Sequence, residues 1–378
     1  MDLIALIAFT VLAFTGSLAT RMLTPALSFF LREGLRASFL GVSTLTAGYM
    51  LGRSLTAYFS GGIGRRWKHL PSICLVLNGS LVLLYPLAEE WYEVTGLSFL
   101  QGALMGLTWP FIQYLVMEAA GGGRTGRAIS IYFFVGSIAG PAGDAIYGAL
   151  FSASPVMSVV LVSLSLYLLS SLLAYLGSRG VRVEWSEGRE EDAGGDVRWL
   201  MMLGLGMGGM ASVVGSSIIY VILREWFSLS RGTVALLLSM VGGLSVGSKL
   251  LSGYALDRMG AGATLRALTA MLAMGSLLIG VRSFPLFLAG LSIISTAVGA
   301  FIPASRAIAY TFPNPASAVG KLNSLGNIGT VAGLLAIGAG MDALPSSGLI
   351  SPLIVFLGPF TLLVIISTLR LQVIAETA

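Results

Sequence analysis

The chain has 378 residues, 56% of them hydrophobic and only 10% charged, with a mean hydropathy of +0.88. An ordinary soluble domain carries about 25% charged residues, so a water-soluble fold is excluded. The formal net charge of +5 does not point to nucleic acid, because the basic residues follow the connections between apolar runs instead of forming one patch.

Those apolar runs number twelve. Each is about 20 residues long, which matches the hydrocarbon thickness of a bilayer. In chain order they cover about 3 to 30, 38 to 60, 71 to 88, 94 to 119, 128 to 150 and 155 to 178. A second set covers about 199 to 224, 233 to 256, 264 to 281, 285 to 311, 320 to 342 and 350 to 370. Helices are expected, since an open strand leaves backbone N–H and C=O groups unpaired in lipid and the alternating pattern of a membrane barrel is absent. The first run follows Met1-Asp2 without a basic n-region and outlasts a signal-peptide core, so it reads as a spanning helix.

Between the sixth and seventh runs lies a polar stretch holding Glu184, Glu187, Glu190, Glu191, Asp192 and Asp196 among arginines, with Gly194-Gly195 inside it. It reads as a solvated cytoplasmic linker. The expected organisation is therefore a six-helix bundle over 1–178, a linker over 179–198 and a second six-helix bundle over 199–378. With both termini in the cytoplasm, the connections on that side hold Arg65, Arg66, Lys68, Arg124, Arg127, Arg179, Arg182, Arg189, Arg198, Arg258, Arg266, Lys321 and Arg370. The opposite side keeps Arg32, Arg36, Arg224, Arg231 and Arg282. That bias orients helices during insertion and places both ends on the cytoplasmic side of a cell membrane.

The two sets of six are related. Gly106-Leu107-Thr108-Trp109-Pro110 recurs as Gly299-Ala300-Phe301-Ile302-Pro303, 193 residues on, and Gly126-Arg127 returns as Gly320-Lys321 after 194. Arg53, Leu55, Tyr58 and Gly64 have their echo in Lys249, Leu251, Tyr254 and Gly260, 196 residues later. An apolar chain of two related halves is most economically read as a carrier with its binding site between the halves. Glycines at four-residue spacing (Gly136 and Gly140, Gly204 and Gly208, Gly329 and Gly333) are the small-residue pairs that let membrane helices approach closely. Cys74 is the one cysteine and His69 the one histidine, and no H-E-x-x-H, nucleophile elbow or phosphate-binding loop is present, so no metal site, bound cofactor or enzyme is expected. Asn78-Gly79-Ser80 matches a glycosylation sequon but falls inside the third helix.

Gly253-Tyr254-Ala255-Leu256-Asp257-Arg258-Met259-Gly260, a G-x-x-x-D-R-x-G run, resembles the loop signature of the major facilitator superfamily. The equivalent stretch after the second helix keeps Gly64-Arg65-Arg66 but has Gly61 where the acid would stand. The resemblance covers essentially the whole chain and implies an all-α membrane protein, twelve transmembrane helices in two pseudo-symmetric six-helix bundles. It also implies a cytoplasmic gating latch at Asp257 and Arg258, near Lys249, Gly253 and Gly260, with Arg53, Gly64, Arg65 and Arg66 in the first copy. Glu118, at the cytoplasmic end of the fourth helix, is expected either to pair with Arg65, Arg66 or Arg53 or to carry a proton. Ser98-Phe99-Leu100-Gln101-Gly102 resembles the R-x-x-Q-G of proton-linked members without its arginine, and Gly136 to Pro141 resembles the G-x-x-x-G-P stretch of exporters.

Ionisable residues at membrane depth default to functional candidates. Arg21 and Asp144 stand at similar heights in the first and fifth helices, neighbours in this family's fold, and are expected to pair because either charge alone is heavily penalised. The pair is either a structural clamp or a transport element. The helices that line the cavity in the family add Trp109 and Gln113, Ser216, Ser217 and Tyr220, and Arg306; for each, helix packing stays an alternative. The reading that joins these features is a monomeric, proton-coupled secondary transporter moving a small-molecule solute among membrane lipids by alternating access, with exporter-like features. A uniporter or lipid translocator of the same fold, or a non-transporting receptor, stays open.

Overall fold

The computed structural model describes residues 2–57, 67–121, 125–181, 197–309, 315–344 and 351–377. Because lipid offers no partner to a free backbone group, the apolar runs resolve into helix after helix. These are α1 (Leu3–Phe29), α2 (Phe39–Ala57), α3 (Leu70–Val82), α4 (Trp91–Ala120), α5 (Thr125–Ile146) and α6 (Val156–Gly180). The second set is α7 (Val197–Ala211), α8 (Ser217–Phe227), α9 (Arg231–Ile279), α10 (Phe284–Ala309), α11 (Pro315–Ala343) and α12 (Leu353–Thr377). Single π-helical turns extend α1 over Phe30–Gly34 and α5 over Tyr147–Phe151. Local chemistry fixes several ends: the Asp2 carboxylate accepts from the Ala5 N–H at 3.0 Å to cap α1, and Glu90 with Glu93 forms a capping box for α4.

Among the described residues, nine helices are long and apolar enough to cross a membrane. The count is consistent with twelve crossings, the expected second, fourth and seventh being the three not among the nine. α2 and α4 are long but carry more polar residues. The expected eighth and ninth crossings run together in α9, which turns at a single residue, Gly260, whose φ of 75° lies in the left-handed region that glycine enters without steric cost. The expected seventh crossing is interrupted, so α7 and α8 are separate helices of 15 and 11 residues.

The chain forms two compact units. The first comprises Met1–Ala37, Gly48–Glu187 and Tyr220–Ser239; the second comprises Ser38–Ala47, Gly188–Ile219 and Met240–Ala378. In the first unit α1 packs on α5 and α6, and α3 on α4 and α6. In the second, α7 packs on α11 and α12. The duplication is visible in this packing. Ser72 and Ser171 join α3 to α6 through hydroxyls 2.8 Å apart, and Thr269 and Thr368, 197 residues on, join the latter part of α9 to α12 at 3.0 Å. Gly106 of α4 lies against Arg53 and Thr56 of α2, and its counterpart Gly299 of α10 lies against Ser245 and Ser248 of α9.

Two of the four-residue glycine pairs seen in the sequence lie on the facing sides of α7 and α11. A Cβ at Gly208 of α7 would strike the Gly326 carbonyl of α11, and one at Gly329 of α11 would strike the Leu205 carbonyl of α7. Gly204 and Gly333 extend the same seam, with carbonyl oxygens 2.7 and 2.9 Å from their Cβ positions. Close backbone approach is the main packing device where both surroundings and side chains are apolar. Asn78, wholly buried in α3, is inaccessible to glycosylation as its helical position implied.

Candidate functional site

The G-x-x-x-G-P stretch of α5 explains how a charge comes to lie deep in the first unit. Gly136 lies against Ala13, and a Cβ at Gly143 would sit 2.9 Å from the Arg21 Cβ. α1 therefore runs close to α5, and the Arg21 side chain passes Gly140 with its Nε 3.8 Å from the Cβ position there. One turn further on is Asp144, 6% exposed, in a stretch of α5 apolar enough to span a membrane.

Asp144 Oδ1 accepts a 2.6 Å hydrogen bond from the Tyr220 hydroxyl, and Arg21 acts on the same carboxylate through space. Tyr220, on α8, is itself 1% exposed. The edge of its ring meets Phe29 at 6.2 Å, and Phe29 stacks on Tyr147 at 6.3 Å. Sequence reasoning expected Arg21 and Asp144 to form a buried pair; the hydrogen bond at Asp144 Oδ1 comes from Tyr220, and the Arg21 side chain passes Gly140 and Gly143 of the same helix as Asp144. That reasoning placed Tyr220 among cavity candidates without recognising it as the donor to Asp144.

The interruption of the seventh crossing falls between Ala211 and Ser217, where Gly215 adopts φ 63°. Ser212 and Val214 close the end of α7 with bonds to the Gly209 and Ala211 carbonyls at 3.2 and 2.9 Å. Ser217 then starts α8 held by α2: its N–H bonds Thr46 Oγ1 at 3.0 Å, and its hydroxyl bonds the Val42 carbonyl at 2.7 Å. Ser216, 2% exposed, has a hydroxyl with no hydrogen-bond partner among the described residues. Broken membrane helices expose such polar backbone ends at transport sites. The Gly-Gly, Ser and Val-Val content of residues 208–217 was the available signal for the break.

The remaining candidates lie on α4 and α10. The Trp109 indole lies over Gly16, its Cη2 3.2 Å from the Cβ position there, next to a 2.7 Å hydroxyl contact between Thr15 and Ser170. Gln113 is half-buried on α4. Arg306 bonds its own helix at the Ile302 carbonyl, 2.8 Å, and Asn323 Oδ1 of α11, 3.3 Å. Gln101, the retained glutamine of the R-x-x-Q-G resemblance, receives the Tyr85 hydroxyl and donates to the Tyr167 hydroxyl, both at 2.9 Å, and Tyr167 contacts Thr20 at 2.8 Å. This buried chain ties α1, α4 and α6 together at the height of Arg21. Its members were not singled out from the sequence as a set.

In the loops expected from the sequence to gate, Arg258 lies over the ring of its own Tyr254 at 4.5 Å. The Arg53 guanidinium acts on the buried Tyr132 of α5, and Glu118 stands exposed near the end of α4. Lys249 is half-buried on α9. Gly64, Arg65, Arg66 and most of the charged linker lie outside the described residues, as do the surroundings of Gly253 and the side chain of Asp257. Among the described residues no three His, Cys, Asp or Glu side chains gather as a metal site would require.

At the far end of α1 the first unit holds a charged cluster that the sequence reading dispersed. Arg32 pairs with Glu225 at 2.5 Å, while Glu33 pairs with both Arg224 and Arg231. The opposite ends of the helices are tied by other means: the Asp2 N–H bonds the Ala119 carbonyl at 2.8 Å, and His69 Nδ1 lies 2.9 Å from the Ser178 hydroxyl.

The family model described as Major Facilitator Superfamily matches residues 9–203, just over half of the chain. No curated protein matches the chain in sequence. Among solved structures, the chain is similar to a bacterial homologue of the human lysosomal transporter Spinster in an inward-facing, occupied conformation. The TM-score is 0.77 at 14% identity, over 99% of this chain and 96% of that one. It is also similar to the nucleoside transporter NupG, with TM-score 0.72 at 11% identity over 98% of each chain. A third is the human organic anion transporter MFSD10, with TM-score 0.70 at 16% identity over 98% of this chain and 99% of that one. At these identities the likeness concerns the fold.

Proposed function

The chain belongs to the Major Facilitator Superfamily, and on that premise we propose that it is a proton-coupled secondary active transporter that moves a small solute by alternating access. It works as a monomer in a cell membrane with both termini in the cytoplasm, and needs no bound cofactor. The observation that carries the coupling is Asp144, buried at membrane depth, holding the Tyr220 hydroxyl with Arg21 alongside. A carboxylate there is costly unless its charge is answered. Protonation removes the charge that Tyr220 and Arg21 answer, so the hold of α5 on α8 weakens when a proton arrives. A proton-linked conformational step needs such a differential contact. The three structural relatives are a lysosomal-transporter homologue, a nucleoside transporter and an organic anion transporter, so the fold leaves the solute open.

Purified protein in liposomes tests the reading, with solutes chosen by ligand-stabilisation screening. Uptake driven by a pH gradient is expected for the native chain. Asp144→Asn is expected to lose gradient-driven accumulation while keeping downhill exchange of labelled solute. Gradient-driven accumulation surviving in Asp144→Asn would refute Asp144 as the coupling group. Ser98, standing where proton-linked relatives carry arginine, favours a uniporter as the second reading; flux indifferent to the pH gradient in the native chain would establish it.

A further inference from the structure

A cavity of about 350 Å³ lies within the first unit at the far end of α1, small among sites that take ligands but inside their range. Its walls come from the end of α1, from α5, from the start of α6 and from Arg231 at the head of α9. Two backbone irregularities meet there. Both π-helical turns among the described residues border the cavity, Phe30–Gly34 through Phe30, Glu33 and Gly34, and Tyr147–Phe151 through Tyr147. Single turns of this kind interrupt α-helices frequently at functional sites.

The cavity has an apolar side and a polar side. Ala26, Phe29, Phe30, Val156 and Val159 make the first. On the second, Tyr147 is 3% exposed, and its hydroxyl makes no hydrogen bond among the described residues. A buried phenol ordinarily has a partner, so this donor is left over for a ligand. Its ring stacks on Phe29 at 6.3 Å, and the charges of Arg231 and Glu33 act on it. Glu33 stands in the stretch Leu31-Arg32-Glu33, which recurs as Leu223-Arg224-Glu225, and its one carboxylate is shared by the guanidinium groups of Arg224 and Arg231. These three side chains therefore keep a surplus positive charge. The start of α6 adds to it. Pro155 is the N-cap, no side chain caps the helix, and its first N–H groups stand at the positive end of 25 helical residues. Ser154, beside them, brings a hydroxyl. Apart from Glu33, already answered, every polar side chain lining the cavity can donate.

We propose that this cavity is a binding site for a small amphipathic anion, a carboxylate carried on an aromatic or short alkyl body. The carboxylate takes the Tyr147 hydroxyl, Arg231 and the start of α6, while the body lies on Phe29 and Val159. A neutral or cationic head leaves those donors unanswered. The inference does not rest on the carrier reading. Phe29 also meets Tyr220, the donor to Asp144, so an occupant lies one ring away from that bond.

Equilibrium dialysis of labelled 3-phenylpropionate against the full chain in nanodiscs tests the site, with 3-phenylpropanol and 3-phenylpropylammonium as head-group controls and empty nanodiscs to subtract partition into lipid. Saturable binding of one carboxylate per chain is expected, at least about tenfold tighter than the alcohol or the ammonium. Tyr147→Phe keeps the ring and is expected to weaken the carboxylate about tenfold, the scale of one hydrogen bond to a charged group. Arg231→Gln is expected to bring the carboxylate and the alcohol to within about threefold of each other. Val156→Trp, which fills the apolar side, is expected to abolish binding. Absence of saturable binding, equal binding of the alcohol, or carboxylate binding unmoved by both Tyr147→Phe and Val156→Trp overturns the proposal; the last result places the anion elsewhere on the chain. Should Val156→Trp fail to fold, the isosteric Tyr147→Phe still decides. Dialysis needs no gradient, so a chain that binds the carboxylate without transporting any solute defeats only the carrier reading, and a working carrier that fails to bind it here defeats only this inference.

Discussion

Tyr220→Phe removes one oxygen atom from a wholly buried ring and leaves the packing against Phe29 intact. What is lost is the 2.6 Å donation to Asp144. A hydrogen bond to an ionised group is worth about 1.5 to 3 kcal/mol net, and no cavity term is added because phenylalanine fills the same space. The remaining answer to the Asp144 charge is Arg21, which acts on it from across the α1–α5 contact. A double-mutant cycle isolates the term. Asp144→Leu removes the acceptor, so in that background Tyr220 becomes a buried hydroxyl without its partner, and deleting it should be neutral or mildly favourable. Unfolding in mixed micelles by denaturing detergent supplies the four free energies. The coupling is expected at about 2 kcal/mol. A cost for Tyr220→Phe that is the same with and without Asp144 would show that the bond carries no energy, and the coupling mechanism built on it would go with it.

Gly208→Ala should lower stability by about 1 to 3 kcal/mol, because its Cβ would meet a backbone carbonyl that cannot rotate away. Gly243→Ala, in α9 with nothing within 4 Å of its Cβ position, should instead gain up to about 1 kcal/mol from helix propensity, and thermal unfolding of the two variants separates packing from propensity. His69, outside the spanning segments, has its pKa held below the ordinary 6.5, first by burial and then by Lys68 and Arg179. A histidine whose folded value is depressed favours the neutral form, so its contribution is intact above pH 6.5 and is lost as pH falls through the window just below. It is the chain's one histidine, so a single imidazole NMR signal reports its midpoint. A midpoint above 6.5, or acid sensitivity unchanged in His69→Gln, would refute the assignment.

Hydropathy made the crossings legible because lipid admits one local answer to an apolar run of sufficient length. The glycine seam was legible for a related reason: Gly204, Gly208, Gly329 and Gly333 advertise a close approach, and their four-residue spacing puts them on one face. Which seam met which was not. Nothing in α7 alone says that Gly204 and Gly208 receive α11 while Gly206 and Gly209 receive α12. Gln101 shows the same limit from the polar side. The motif resemblance marked the residue as noteworthy, yet its hydrogen bonds go to Tyr85 and Tyr167, 16 and 66 residues away. A buried amide in a helix is satisfied by tertiary partners, and local sequence does not name them.

The outer charges were the most recoverable miss. Counting arginines by side placed Arg32, Arg224 and Arg231 together as residues that orient insertion, and counting treats each charge as a solvated unit. The repeated Leu-Arg-Glu contains more than the count does. In a duplicated chain, a segment carrying both signs is complementary to its own copy, so an Arg-Glu pair retained at equivalent positions of the repeat can bond its own counterpart. Arg36 and Ser228 fit that logic: different residues, one basic and one neutral, adopt the same left-handed conformation because each must return the chain after its arginine has bonded the carbonyl five residues ahead. Position in the repeat, more than residue type, sets the geometry there. Asp144 and Tyr220 lack such a signal, because neither has a counterpart in the other half that makes the same bond. The contacts that duplication imposes can be read from the repeat itself, whereas the contacts that break its symmetry, which are the ones a coupled carrier needs, require the fold.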